Sequence, residues 1–142
     1  MTIQAIIDAT AALFTVGTLP EITNIQKRRP EDANETYPAL YVYPVAYTDR
    51  YQSLNGAMTE HTLGITVFYQ IDENTPSQSL TNQQQMHAVV DKIRKLVAKT
   101  KTLGDTCTVS LPSSGAFRVA ASPSLIYVCD MTFRAKSVEA FV

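Results

Sequence analysis

The chain has 142 residues, of which 45% are hydrophobic and 18% charged, so size and composition predict one globular domain over residues 1–142. A formal net charge of −1 argues against a protein whose overall field attracts nucleic acid or anionic lipid. The sequence contains neither a secretion signal nor a continuous apolar span, and its two cysteines lack metal or redox spacing. These features favour synthesis in the cytosol with reduced thiols.

The first predicted element is an amphipathic helix over residues 2–14. Its inward positions recur at the three-to-four spacing of one helix face: Ile3, Ile6, Ile7, Thr10, Leu13 and Phe14. An extended piece with apolar Ile22 and Ile25 follows the helix. Residues 27–35 are polar and lack periodicity, so they are predicted to form an exposed loop.

Five of the seven tyrosines fall between Tyr37 and Tyr51. The run Leu40-Tyr41-Val42-Tyr43 puts bulky groups on both faces of a predicted strand at residues 39–47, because successive side chains point in opposite directions. Such a strand needs a cover on both faces, from a helix, a second sheet or another subunit. Tyrosine is enriched at interfaces and is also a good strand former, so these residues could form a subunit contact or the edge of a core.

Residues 60–71 predict a second strand, because their side chains alternate between two faces. One face carries His61, Leu63, Ile65, Val67, Tyr69 and Ile71. The two strands, joined by about twelve residues that include the turn signal Asn55-Gly56, predict an antiparallel hairpin with an extended tip. The tip is too apolar for a merely solvated loop, because it carries Tyr47, Arg50, Tyr51, Leu54 and Met58.

A second amphipathic helix is predicted to start at Ser79 or Asn82 and to end at Lys99. Its buried stripe consists of Met86, Val89, Val90, Ile93, Leu96 and Val97. Three short strands are predicted after it, at residues 106–111, 116–121 and 125–135. The sequence therefore predicts an α+β fold, in which two amphipathic helices pack on a mostly antiparallel sheet with an extended β-hairpin.

No pattern in the sequence indicates catalysis or cofactor binding. His61 and His87 are the only histidines, and neither has the spacing of metal ligands. Nucleophile elbows and phosphate-binding loops are missing as well. Two groups of cations could form a nucleic-acid patch: Lys92, Arg94, Lys95, Lys99 and Lys101, with Lys27-Arg28-Arg29. A solvated helix face explains the first group more simply. We predict that the protein is not an enzyme and has no catalytic residues, no metal site and no cofactor.

Three features of the chain occur together in one known family. They are the N-terminal amphipathic helix, the strand Tyr37-Pro-Ala-Leu-Tyr-Val-Tyr-Pro44 after a polar loop, and a long hairpin that leads into the helical stripe of residues 86–97 and then into strands. In this order of elements the chain resembles the tail terminator, or tail completion, proteins of long-tailed bacteriophages. The resemblance extends over residues 2–135.

The resemblance implies a subunit that assembles as a ring, usually a hexamer, at the head-proximal end of the tail tube. Assembly would occur in the host cytoplasm, and the ring would remain in the virion at the head–tail junction. Implied partners are further copies of the chain, the tail-tube protein and the head connector or neck protein. DNA would pass through the channel without specific binding, and no membrane takes part. On physical grounds we expect subunit or tail-tube contacts at Tyr41, Tyr43, Tyr47, Arg50, Tyr51, Leu54 and Met58.

Other functions remain open at this point. A head–tail connector or neck protein, or another minor tail protein, would also form a ring, and only the identity of its partners would differ. A small cytosolic enzyme or ligand-binding domain would be supported by a pocket that holds His61 with Asp130 or Glu60. A nucleic-acid-binding module would be supported by binding that falls steeply with salt.

Overall fold

A computed structural model of the chain describes residues 3–14, 22, 24–30, 38–53, 56–71, 76–99, 108–120 and 126–140. For residues 50–53, 56–57, 76–79, 108–114 and 138–140 the description is limited to the backbone. The elements are α1 (Ile3–Ala12), β1 (Asn24–Gln26), β2 (Ala39–Ser53), β3 (Gly56–Gln70), α2 (Pro76–Lys99), β4 (Thr108–Ala120) and β5 (Ile126–Ala140).

The strands form one sheet in the order β1-β2-β3-β5-β4. β1 pairs with β2 in parallel, and the other three neighbouring pairs are antiparallel. The predicted α+β fold, with a mostly antiparallel sheet and two helices, is confirmed, and β2 and β3 form the predicted hairpin.

Helix α1 places its predicted apolar stripe in the core. Ile6, Ile7 and Phe14 are buried. Thr10 is buried as well, and its hydroxyl donates to the carbonyl of Ile6 at 2.7 Å, which satisfies the polar group inside the helix. Apolar spacing alone therefore identified the buried face of this helix.

Helix α2 begins at Pro76, earlier than predicted, and proline is well tolerated in a first helical turn. Its buried residues are those of the predicted stripe, except that Leu96 is only partly buried: Met86, Val89, Val90, Ile93 and Val97. They form one core cluster with α1 and with one face of the sheet, so both helices pack on that side. Neither described helix combines the length and hydropathy that a membrane crossing requires.

The two faces of the sheet follow the predicted alternation along β3 and β5. The helix-covered face carries the core residues Leu63, Ile65, Val67, Cys129, Met131 and Phe133. The opposite face, called here the helix-free face, carries Tyr43, Thr66, Asp130 and Arg118, one from each of β2, β3, β5 and β4.

The hairpin is longer than predicted. Ser53 pairs with Gly56, so the strands extend to a connection of residues 54–55, where we expected about twelve residues. Contacts between polar side chains stabilise the added part of the β2–β3 pair. For example, the hydroxyl of Thr59 donates to the carboxylate of its cross-strand partner Asp49 at 2.7 Å.

β4 is one strand where the sequence predicted two. Pro112 lies between the two predicted strands, at residues 106–111 and 116–121. β4 instead carries a register shift between Ser110 and Ser114, and it lies at the end of the sheet. A proline is tolerated in an edge strand because its missing N–H can face away from the neighbour, and a bulge absorbs the extra residues.

Candidate interaction surfaces

The tyrosines of β2 pass from the core to the surface along one strand. The side chain of Tyr41 is 0% exposed, Tyr43 is half-buried, and Tyr47 is 70% exposed. Tyr41 is therefore covered within its own chain and leaves the set of candidate contact residues. Of the three, Tyr47 offers the largest accessible side chain.

Tyr41 is held on the helix-free face by two neighbours. The ring of Phe68 meets it edge-on, with centroids 5.4 Å apart. The guanidinium of Arg28 lies 5.4 Å from its centroid, in the geometry of a cation–π contact. Arg28, predicted to lie in an exposed loop, is thus half-buried against the sheet.

Tyr43 lies flat across the neighbouring strand. Its hydroxyl is 2.7 Å from the hydroxyl of Thr66, and the guanidinium of Arg29 stands 5.7 Å from its ring centroid. A Cβ at Gly64 would come within 2.5 Å of Cε2 of Tyr43. Glycine at position 64 therefore provides the space that the ring occupies.

The remaining predicted contact residues lie at the hairpin tip. Met58 is half-buried. Arg50 and Tyr51 belong to β2, but their side chains are outside the described part of the structure, and Leu54 lies outside it entirely. The expectation for these three side chains stays a prediction.

The outer side of β2 is one candidate contact surface, called here the β2 edge (residues 44–49). β1 pairs only with Ala39–Tyr41, so no described strand pairs with the outer side of the β2 edge. All six of its residues are exposed, including Val45 at 44% and Tyr47 at 70%. One backbone carbonyl, that of Pro44, accepts a 3.2 Å hydrogen bond from Arg29.

The opposite end of the sheet carries a second candidate surface, called here the β4 edge (residues 115–120). β4 is the last strand in the sheet order, and Phe117 and Val119 are 48% and 57% exposed. Next to it, α2 and the sheet enclose a cleft of about 440 Å³ lined by His87, Val90, Asp91, Arg94, Gly115, Phe117, Cys129 and Met131.

An aromatic group supports the cleft. The ring of Phe117 lies 5.5 Å from that of His87 and 5.6 Å from that of Tyr127. Nε2 of His87 and the hydroxyl of Tyr127 are 2.9 Å apart, which links α2 to β5 by a hydrogen bond. Sequence reasoning missed Phe117 and Val119, because their alternation with Arg118 is typical of a half-buried strand; their exposure follows from the position of β4 at the end of the sheet.

A line of polar contacts crosses the helix-free face over four strands. Nε of Arg118 donates to Asp130 at 2.7 Å, and the hydroxyl of Thr66 donates to the same carboxylate at 3.0 Å. The hydroxyl of Thr66 also forms a hydrogen bond with the hydroxyl of Tyr43 at 2.7 Å. Each carboxylate oxygen of Asp130 thus has a protein donor, which fixes the side chains relative to one another.

The structure does not assemble the enzyme-like pocket that His61 with Asp130 or Glu60 would have formed. His61 is opposite Tyr47 on the helix-covered side, whereas Glu60 and Asp130 lie on the helix-free face. Among the described residues, no three His, Cys, Asp or Glu side chains are grouped closely enough to hold a metal ion.

Cys129 is expected to be a poor nucleophile. Burial, and to a lesser degree the nearby Asp130 carboxylate, raises the pKa of its thiol to about 11. In a Cys107→Ser background, we expect the folded protein to resist alkylation at neutral pH while the urea-unfolded chain reacts readily, because the thiolate is the reactive form. The alkylation rate of the folded protein should rise with pH up to about 11. Equal rates for folded and unfolded chains would contradict the burial of this thiol.

No protein-family model matches the chain, and no curated protein matches it. A functional proposal for the chain therefore depends on its surfaces and on the resemblance in element order.

Proposed function

We propose that the chain is a structural virion-assembly protein, a tail terminator that forms a ring at the head-proximal end of a phage tail tube. The ring would stop tube growth and join the tail to the head. One observation carries the proposal: at each end of the sheet a strand edge pairs with no other described strand and carries exposed apolar side chains, at the β2 edge and the β4 edge. The resemblance in element order to tail terminator proteins is the reason for proposing a ring as the assembly.

The directions of the strands favour head-to-tail association. β4 runs opposite to β2, because three antiparallel steps separate them in the sheet. A second copy related by rotation about an axis along the strands keeps its strand directions. Its β2 edge would therefore meet the β4 strand of the first copy in antiparallel orientation, the commoner pairing. Heterologous contacts of this kind close into a ring when the rotation between neighbouring copies closes without a shift along the axis.

The heights of apolar residues at the two ends of the sheet also correspond. Ile25 and Phe117 stand in one row on the helix-covered side, through the pairs Ile25–Leu40, Leu40–Val67, Val67–Cys129 and Cys129–Phe117. A copy rotated without sliding would bring Phe117 against Ile25 of the next copy. The β2 edge of that copy would meet the first part of β4, because Tyr47 stands in the row of Val109 through His61 and Ala135. Aromatic and β-branched cross-strand pairs of this kind stabilise sheets.

Edge protection is the competing explanation for these strands. Pro44 and Pro112 each lie beside a register shift in an edge strand, and such devices prevent indiscriminate pairing. Each edge carries one exposed charge, Asp49 or Arg118, as protected edges usually do. Each also exposes two large hydrophobic side chains, which protection does not require: Val45 and Tyr47 on the β2 edge, Phe117 and Val119 on the β4 edge. This favours edges that limit pairing to one specific partner.

Complementary variants test the head-to-tail contact. We expect wild-type protein to form closed rings, seen by mass in solution and electron microscopy, and Tyr47→Asp and Phe117→Asp each to abolish them. An equimolar mixture of the two variants should form dimers and nothing larger, because the intact β1–β2 side of one variant meets the intact β4 strand of the other. Leu80→Asp is the matched control, an equally apolar and exposed residue on α2, and should assemble normally.

Several outcomes would contradict this contact. Variants that still form rings, or a mixture that stays monomeric although both variants keep wild-type circular dichroism and melting, would exclude these edges. Tail termination itself is tested by adding tail-tube protein, since rings should fix the length of the tubes. Rings that leave tube length unchanged but bind a portal complex would favour the connector or neck alternative, which shares the ring and differs in its partner.

A further inference from the structure

We infer that the helix-free face binds the phosphate backbone of double-stranded DNA. Five cationic side chains belong to this face or reach it from the segment after β1: Arg28, Arg29, Arg118, Arg134 and Lys136. The carboxylates described on it are those of Glu60 and Asp130. The described side chains therefore give this face an excess of positive charge, although the whole chain carries −1.

The cations project further from the sheet than the carboxylates. The side chains of Arg134 and Lys136 are 63% and 40% exposed, whereas that of Glu60, which lies 3.5 Å from Arg134 and 3.8 Å from Lys136, is 18% exposed. Arg118 is 53% exposed and its partner Asp130 38%. A polyanion approaching this face would meet ammonium and guanidinium groups before it meets a carboxylate.

The sheet fixes the spacing of these cations. Arg134 and Lys136 are two residues apart on β5, so their Cα atoms are separated by about 7 Å along the strand. Arg118 stands on the neighbouring β4 in the row of Val128, about 20 Å along the strands from Arg134, and the contact of its Nε with Asp130 orients the guanidinium. Cations spaced in this way can contact phosphates along a duplex without reading base sequence.

Double-stranded DNA is the partner that the proposed function requires, and in this respect the inference rests on that function. A ring at the end of a phage tail must admit the genome, so one face of each subunit has to meet a phosphate backbone. The exposed cations of α2 are the alternative surface: Lys92, Arg94, Lys95 and Lys99. Ion pairs occur on both surfaces, so the difference is that α2 presents its cations along one helix, whereas the helix-free face spreads them over two strands and the segment after β1.

The test compares two double variants with the same change in net charge. Arg134→Ser with Lys136→Ser removes two cations from the helix-free face, and Lys95→Ser with Lys99→Ser removes two from α2. The probe is a labelled duplex of about 24 base pairs, followed by fluorescence anisotropy between about 20 and about 200 mM salt.

We expect wild-type protein to bind this duplex weakly, with a Kd of about 10 µM at the lowest salt and a steep salt dependence. The sheet variant should bind about tenfold more weakly, and its slope of log affinity against log salt should fall by about 2. The α2 variant should stay within about twofold of wild type. Glu60→Gln should strengthen binding, because it removes the recessed carboxylate between two cations.

Other results would overturn the inference. No binding by wild-type protein at low salt, equal losses in both double variants, or a loss confined to the α2 variant would each exclude the helix-free face as the DNA surface. Preference for an acidic peptide of the same charge over the duplex would assign the face to a protein partner instead. The mass of the assemblies is measured in parallel, so rings without DNA binding would reject the inference alone, and DNA binding without rings would reject the proposed function.

Discussion

Ile93→Asp is expected to remove most of the stability of the fold. Ile93 is 1% exposed in the core stripe of α2, so the substitution places a carboxylate among apolar side chains. An unpaired buried charge, together with the lost apolar contacts, should cost about 4 kcal/mol or more. That is a large share of the total stability of an ordinary domain. Thermal unfolding followed by circular dichroism should show the melting temperature reduced by roughly 12–20 °C.

Lys95→Asp provides the matched control on the same helix. It introduces the same residue two positions away at an exposed site, and should change stability by about 1 kcal/mol or less. The Ile93→Asp variant should also recover stability as the pH falls, because burial raises the pKa of the introduced carboxyl group and its neutral form is less costly to bury. Near-native melting of Ile93→Asp at neutral pH would show that the buried stripe of α2 is misplaced.

Gly64→Ala is expected to have the second largest effect. The added methyl group would lie 2.5 Å from the ring of Tyr43, so the ring has to move away. That movement breaks the contact between Tyr43 and the hydroxyl of Thr66, which is 2.7 Å long. The steric strain and the lost hydrogen bond together should cost about 2 kcal/mol, measured by urea unfolding.

A double-mutant cycle with Tyr43→Ala isolates this contact. Without the ring, alanine at position 64 meets no obstacle and should be neutral or slightly stabilising, because glycine loses more backbone entropy than alanine in a strand. The coupling free energy between the two positions should therefore be about 2 kcal/mol. Additive effects would contradict the packing of Tyr43 over Gly64.

Local periodicity predicted the elements with the strongest repeating patterns. The stripe that contains Met86 and Ile93 marked the buried face of α2, and the alternation from His61 to Tyr69 marked the two faces of β3. Both signals come from residues within a few positions of one another. The prediction of two strands in place of β4 was wrong, because residues 112–115 between them lack a strand pattern, and the position of β4 at the end of the sheet, which tolerates Pro112, has no local signal.

The candidate surfaces depend on contacts between distant parts of the chain. Tyr41 and Tyr47 are the same residue type six positions apart, yet one is buried and the other is exposed, because Phe68 and Arg28 cover only the first. Likewise, Thr66 and Asp130 are 64 positions apart in sequence and 3.0 Å apart in the fold. Neither the covering of Tyr41 nor the contact between Thr66 and Asp130 leaves a pattern in the neighbouring sequence. Sequence patterns could therefore identify the tyrosines as candidates but could not tell the buried one from the exposed one.

The position of β5 has a consequence for the order of events during protein synthesis. β5 is the last strand along the chain, but it lies between β3 and β4 in the sheet. It pairs Gly56 with Ala140 and Gln70 with Ile126, so the ladder joins residues separated by 56 to 84 positions. Such distant pairing makes folding slow, and the ribosome must release residue 140 before β4 can dock. A nascent chain therefore lacks the β4 edge until residue 140 has emerged, so under the proposed head-to-tail assembly it could at first pair with a neighbour through its β2 edge alone.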